Sequence, residues 1–180
     1  LGITEAAVMM QAIAESGAGM SGASAVHIPV FSVQPVVLFG TQEQKARILP
    51  EVVSGKDRVC FAVTEPNAGL NTTEITTRAE RRSGGYMVNG DKIWISTAQV
   101  SNKMLLLART TPLDQVKRKT EGLSLFYTDL DRAKIEVRLI HKMGRHAVDS
   151  NMLFIHDLWV PEQDRIGAEG EGFKLLLHGL

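Results

Sequence analysis

Cysteine is almost absent: Cys60 stands alone among 180 residues, which excludes an internal disulfide and suits a reducing compartment. Neither charge sign is in excess. Twenty Lys and Arg balance twenty Asp and Glu, so nothing in the charge points to nucleic acid or an anionic membrane surface. Lys117-Arg118-Lys119 is the only tight basic run and reads as a solvated loop. No apolar run approaches the ~20 residues of a membrane span, and no charged n-region precedes an apolar core, so neither a transmembrane segment nor a secretory signal is expected. Without that signal, Asn71-Thr72-Thr73 is a chance match to a glycosylation acceptor. No His, Cys and carboxylate set has metal-ligand spacing; His141 and His146 read as a loop pair. No nucleophile elbow is present, and Cys60 in its apolar run reads as core. The chain opens on Leu1 rather than Met and stops inside the apolar run Phe173 to Leu180, so both ends read as cut from a longer protein.

What is present is 44% apolar residues, enough for a sizeable core. The first third reads as packed helices. Thr4 caps a segment from about Glu5 to Ser16 that Gly17 stops. A Gly/Ala/Ser stretch from Gly17 to Ala25 follows, then an apolar run from His27 to Phe39 that ends at Gly40. Thr41-Gln42-Glu43-Gln44 is a capping box, opening a helix that Pro50 ends, with room for one further turn over Glu51 to Ser54. Gly17-Ala18-Gly19-Met20-Ser21-Gly22 matches the dinucleotide-binding glycine pattern, but that motif works only between a strand and a helix. Here it follows a helix and reads as a flexible helix–helix connection.

Near Asp57 the texture changes to short β-rich runs separated by turn signals. The expected strands are Val59–Val63, Thr76–Arg82, Tyr86–Val88, Lys92–Ser96, Lys103–Ala108, Leu123–Thr128, Ile135–Leu139 and Asn151–Val160. Asn89-Gly90 is the strongest hairpin signal, and Gly84-Gly85 marks another turn. Many short strands without helix-length gaps predict an antiparallel sandwich or barrel. Pro161 ends it, and Gly167, Gly170 and Gly172 lead into a helix over Phe173 to Leu180. The class is therefore α+β, with units at 1–57, 58–161 and 162–180.

The most informative stretch is Cys60-Phe61-Ala62-Val63-Thr64-Glu65-Pro66-Asn67-Ala68-Gly69. Next come Tyr86, Val88-Asn89-Gly90, Lys92 and Trp94-Ile95-Ser96. Leu106-Leu107-Ala108-Arg109, Trp159-Val160-Pro161, Ile166-Gly167 and Gly170-Glu171-Gly172-Phe173 follow in order. This ordered set resembles the acyl-CoA dehydrogenases over nearly the whole chain. It matches the end of their N-terminal helical domain, their middle β-domain and the start of their C-terminal helical domain.

The resemblance implies FAD as cofactor. A flavin needs hydrogen bonds to the polar edge of its ring and a dry, apolar wall on its face. By resemblance, Thr64 bonds the pyrimidine edge and Phe61 and Val63 help form the site. Gly69 and Leu70 lie in the loop that approaches the cofactor, where small residues let backbone N–H groups come close. Trp94 covers the ring, Ile95 continues the signature, and the Ser96 hydroxyl sits near the atom that receives hydride. Taken singly, Phe61, Val63 and Trp94 could be plain core, and Thr64 and Ser96 ordinary hydroxyls. One departure stands out: Leu70 and Asn71 replace the family's usual Ser and Asp, so only the Leu70 backbone can serve there.

In that family a Glu removes the α-proton of an acyl-CoA while the β-hydrogen leaves as hydride. That Glu belongs to the C-terminal helical domain, so no residue of this chain is nominated as catalytic, and none as a metal ligand. Glu65 takes a structural loop role, and Glu171 lies too early. The resemblance further implies an acyl-CoA substrate, an electron-transfer flavoprotein as acceptor, and a homo-oligomer, tetramer or dimer. It implies a bacterial cytoplasmic or mitochondrial-matrix home. The competing readings are an acyl-CoA oxidase, a non-catalytic family member, and a β-sandwich interaction domain without ligand.

Overall fold

The computed structural model describes residues 2–178; Leu1 and the Gly179–Leu180 end of the expected last helix lie outside them. Helix α1 (Ile3–Ile13) and helix α2 (Gly19–Phe39) are joined by the π-type turn Ala14–Ala18. Gly17 sits there at φ 87°, a left-handed conformation that breaks the α ladder. The expected cap at Thr4 lies inside α1, whose N-cap is Gly2. The Gly/Ala/Ser stretch is not a loose connection: all of it after Ala18 is helical, and α2 continues through Pro29 and Pro35 to its end before Gly40.

By length and composition the stretch Ile3–Phe39 is long and apolar enough to cross a membrane, which corrects the expectation that no such stretch exists. Its apolar residues are interleaved with small ones, so no uninterrupted run announces it. α2 nevertheless commits one face to the protein, burying Ile28, Val33 and Val36.

Thr41 caps α3 (Gln42–Val53) as the sequence predicts: its hydroxyl accepts from Gln44 N–H at 3.2 Å, and Gln44 Oε1 accepts from Thr41 N–H at 2.9 Å. Pro50 does not end this helix, because its carbonyl still accepts from Ser54 N–H at 3.0 Å.

Eight strands follow: β1 (Val59–Ala62), β2 (Arg78–Arg82), β3 (Gly85–Ser96), β4 (Lys103–Arg109), β5 (Leu123–Asp129), β6 (Ile135–Leu139), β7 (Ser150–Pro161) and β8 (Arg165–Ile166). Helix α4 (Gly172–Leu177) closes the described chain. The strands form one sheet in the order β6-β7-β3-β2-β4-β5-β8, with β1 added to β4. The α+β class stands. The sheet is mixed rather than purely antiparallel, since β1 runs parallel to β4 and β2 meets it in parallel at Arg78–Arg109. No pairing joins β6 to β8 among the described residues, so the sheet stays open.

Asn89-Gly90 is not a hairpin. It lies inside the single strand β3, opposite a bulge in β7 at Asp157, whose N–H donates to Asn89 Oδ1 at 2.9 Å. Glycine is needed because the backbones crowd there: a Cβ on Gly90 would stand 2.6 Å from Thr77 Cα. The β2–β3 hairpin turns instead at Ser83-Gly84.

Two cores result from strict alternation along β1 and β4. Cys60, Ala62, Met104, Leu106 and Ala108 face one core within the curled sheet, with Tyr86, Phe126 and Ile155. Val59, Phe61, Val63, Leu105 and Leu107 face the other, against Val33 and Val36 of α2, Ile48 of α3 and Leu175 and Leu176 of α4. The helices therefore lie over the face to which Phe61 and Val63 point.

Candidate functional site

Past Ala62, strand β1 leaves its partner and turns through Thr64–Ala68. Glu65 and Ala68 exchange backbone hydrogen bonds of 3.3 and 3.1 Å around Pro66-Asn67. The Glu65 side chain turns inward and is 4% exposed. It accepts from Thr76 N–H at 2.6 Å, Thr77 N–H at 2.9 Å and the Lys92 ammonium at 2.9 Å. Burial pushes this carboxyl up, but the Lys92 charge and these hydrogen bonds outweigh it and hold the carboxyl below its ordinary value. Burial also pulls Lys92 down to about 8, against the opposing pull of the Glu65 charge.

Strand β3 supplies the second half. Between Lys92, opposite Leu153, and Ile95, opposite Asn151, it carries one more residue than β7. Trp94 in this bulge has φ 62°, rare for a bulky side chain and costing ~1–3 kcal/mol. Bulges re-aim side chains: Trp94 stands 58% exposed while Ile95 is 2% exposed.

The two halves meet in a cleft of ≈ 260 Å³ lined by Phe61, Trp94, Ile95 and Ser96 from the strands, by Thr64 from the loop after β1 and by His27, Ile28 and Phe31 from α2, with Arg145 at its edge. Phe31 contacts Phe61 at 4.5 Å between ring centroids and stacks on His27 at 5.5 Å. Arg145 anchors to α2 through a 2.7 Å bond to Ser24 Oγ. The Thr64 carbonyl accepts from Ile93 N–H at 2.9 Å, and the Ser96 carbonyl from the Thr97 hydroxyl at 2.6 Å. Their own hydroxyls make no hydrogen bond among the described residues. The lining contains no carboxylate.

Five of the eight residues named from the sequence thus line one cleft. Val63 is buried behind it in the helix-side core. Gly69 and Leu70 stand exposed outside the lining, Leu70 completely so. A Cβ on Gly69 would approach nothing nearer than 4.0 Å, so no crowding within this chain requires glycine there. His27, Ile28, Phe31 and Arg145 were not anticipated, because helix packing and the β6–β7 connection bring them in from distant positions.

A roomier groove of ≈ 500 Å³ beside Arg78, Arg81 and Arg109 is the weaker candidate. Its arginines are committed: Arg78 to Glu80, Arg81 to Glu162 and Glu169, Arg109 to the carbonyls of Thr73 and Ile75. Among the described residues no group of three His, Cys, Asp or Glu could hold a metal ion. Cys60 is fully buried, and burial pushes its thiol up to about 12, which makes it inert core.

Residues 60–158 match the family profile of the acyl-CoA dehydrogenase middle domain, and residues 1–56 match that of the acyl-CoA dehydrogenase N-terminal domain. A mitochondrial 2-methylacyl-CoA dehydrogenase of Solanum tuberosum is 31% identical over 164 residues, covering 89% of this chain and 39% of that protein. The crystal structure of an acyl-CoA dehydrogenase from Geobacillus kaustophilus superposes with a TM-score of 0.84 at 32% identity, over 92% of this chain and 43% of that one. The FAD complex of PigA gives 0.89 at 26% identity, over 99% of this chain and 46% of that one. The chain therefore spans less than half the length of these relatives, and it belongs to the acyl-CoA dehydrogenase family.

Proposed function

We propose that the full-length protein containing this chain is an FAD-dependent acyl-CoA dehydrogenase that passes electrons to an electron-transfer flavoprotein, and that the cleft between Thr64 and Ser96 receives the flavin ring. The observation that carries this reading is that Thr64, from the loop after β1, and Ser96, from the end of β3, line one cleft with aromatic walls.

The donor set suits a flavin. Its ring has a polar edge that needs hydrogen-bond partners and two apolar faces. Thr64 and Ser96 offer hydroxyls with free capacity, Phe61 and Phe31 supply an apolar wall, and Trp94 supplies a broad partly exposed flank. At ≈ 260 Å³ the cleft falls below the ~300–1,000 Å³ typical of a whole drug-sized ligand. It suits one ring system rather than an entire dinucleotide. Bound there, FAD supplies a two-electron acceptor. Thr64 and Ser96 orient it, and α2 excludes water with Phe31 and Ile28. With no carboxylate in the lining, the proton-abstracting base of the proposed reaction comes from outside these residues. Within the full protein we assign 1–57 to the N-terminal helical domain, 58–161 to the β-domain and 162–180 to the entry of the C-terminal helices.

The absorption spectrum of the purified full-length protein tests this. Flavin bands that bleach anaerobically on adding an acyl-CoA, with slow recovery in air, are expected. A colourless protein that takes up no added FAD overturns the reading, and rapid reoxidation by oxygen turns it toward an oxidase.

A further inference from the structure

The parallel pairing of β1 with β4 ends at Ala62 opposite Leu106. The next carbonyls on the two strands, those of Val63 and Leu107, do not simply lose their partners. Both accept from Lys92 Nζ, at 3.0 and 2.8 Å. The third contact of that ammonium is Glu65 Oε1 at 2.9 Å. An ammonium has three donors, and all three are used. Two of the acceptors, the Val63 carbonyl and the Glu65 carboxylate, belong to the residues on either side of Thr64. Lys92 itself sits on β3, the strand of Trp94 and Ser96, and the Thr64 carbonyl accepts from the residue after it, Ile93. The buried ammonium therefore ties the two halves of the cleft together, beside the single backbone bond from Ile93 to Thr64.

Stability alone is a poor reason for this arrangement. Lys92 is fully buried and Glu65 nearly so. Taking both charges out of water costs about as much as their attraction returns, and apolar residues of similar volume often serve as well. What an apolar pair cannot do is hold two carbonyls and a carboxylate at fixed points. We propose that Lys92 is a positioning residue for the flavin, fixing Thr64 relative to Ser96 across the cleft. This rests on the flavin reading above. Lys92 itself does not line the cleft; it acts through the loop it holds.

The test uses full-length protein as Lys92→Met alone and as Lys92→Met with Glu65→Leu. FAD dissociation constants and the flavin reduction potential are measured beside urea unfolding of the FAD-free form. The single variant leaves Glu65 buried and unpaired, so it unfolds at lower urea and binds FAD at least about tenfold more weakly. The double variant removes the unpaired buried charge but leaves the Thr76 and Thr77 N–H groups without their carboxylate acceptor, so it regains only part of the urea midpoint and keeps the loss of affinity, with a shifted potential. A double variant that binds FAD as tightly as the parent overturns the role of Lys92 and reduces the pair to a structural tie. A parent that takes up no FAD overturns the flavin reading and this proposal with it. Should neither variant fold, amide exchange of the parent decides. FAD should slow exchange at Ile93 N–H, which bonds Thr64, and an unchanged rate counts against the proposal.

Discussion

Trp94 and Ile95 are chain neighbours on one strand, yet Trp94 stands 58% exposed and Ile95 2%. The extra residue of β3 between Lys92 and Ile95 accounts for the presentation of the indole. It places Trp94 in a left-handed conformation and turns it to the cleft while Ile95 stays in the sheet core. Trp94→Ala should weaken FAD binding by about fivefold through loss of an aromatic contact worth ~1 kcal/mol. Trp94→Gly should weaken it similarly. The glycine variant, free of the strain at φ 62°, should be more stable than the alanine variant by about 1 kcal/mol. Urea unfolding of the pair checks this; equal midpoints would deny the strain.

Gly90 lies where β3 crosses the segment before β2. Gly90→Ala should cost about 1–3 kcal/mol, because its Cβ must displace Thr77, a fully buried residue. The same substitution at Gly84, an open turn position with nothing within 4 Å, meets only its backbone preference and should cost about 1 kcal/mol. Chemical denaturation of both variants makes the comparison.

Glu65 makes part of the stability depend on acid. Its carboxyl is held below its ordinary value in the folded protein, so the unfolded chain takes up the proton first as pH falls. Its contribution is fully present above the ordinary carboxylate pKa, about 4.3, and is lost as pH drops through the lower folded value. Unfolding free energies measured from pH 6 to pH 3 should show this slope. Glu65→Gln should flatten it.

Cys60 should resist alkylation. Its thiol, raised to about 12 and without solvent contact, has almost no thiolate at pH 8. Iodoacetamide should modify it only after denaturation; rapid labelling of native protein would contradict its place in the core.

Local signals were legible where the chemistry is local. The capping box at Thr41, the hairpin at Gly84 and strand β6 follow from residues adjacent in sequence. Asn89-Gly90 misled because its glycine serves a different need, the close approach of Thr77, in a strand that runs straight on. Pro50 misled because a proline near a helix end removes one N–H yet leaves its carbonyl able to accept from Ser54. The parallel pairing of β1 with β4 joins segments far apart, and no periodicity in either strand encodes it.

In the cleft, Phe61, Thr64 and the Trp94–Ser96 triplet were visible because each group lies in a contiguous signature at a strand end. His27, Phe31 and Arg145 enter through tertiary packing alone. Lys92 gave the least warning, since a lysine between polar and apolar neighbours is ordinarily solvated.

Helix α1 buries none of its residues, and Ile3 and Val8 lie open to solvent. An isolated helix of 11 residues falls short of the ~12–15 that hold together in water. Gly17 therefore divides turns that add nothing to the core from α2, which seats Ile28, Val33 and Val36, so the wall that carries His27 and Phe31 draws its support from the sheet and not from the leading helix.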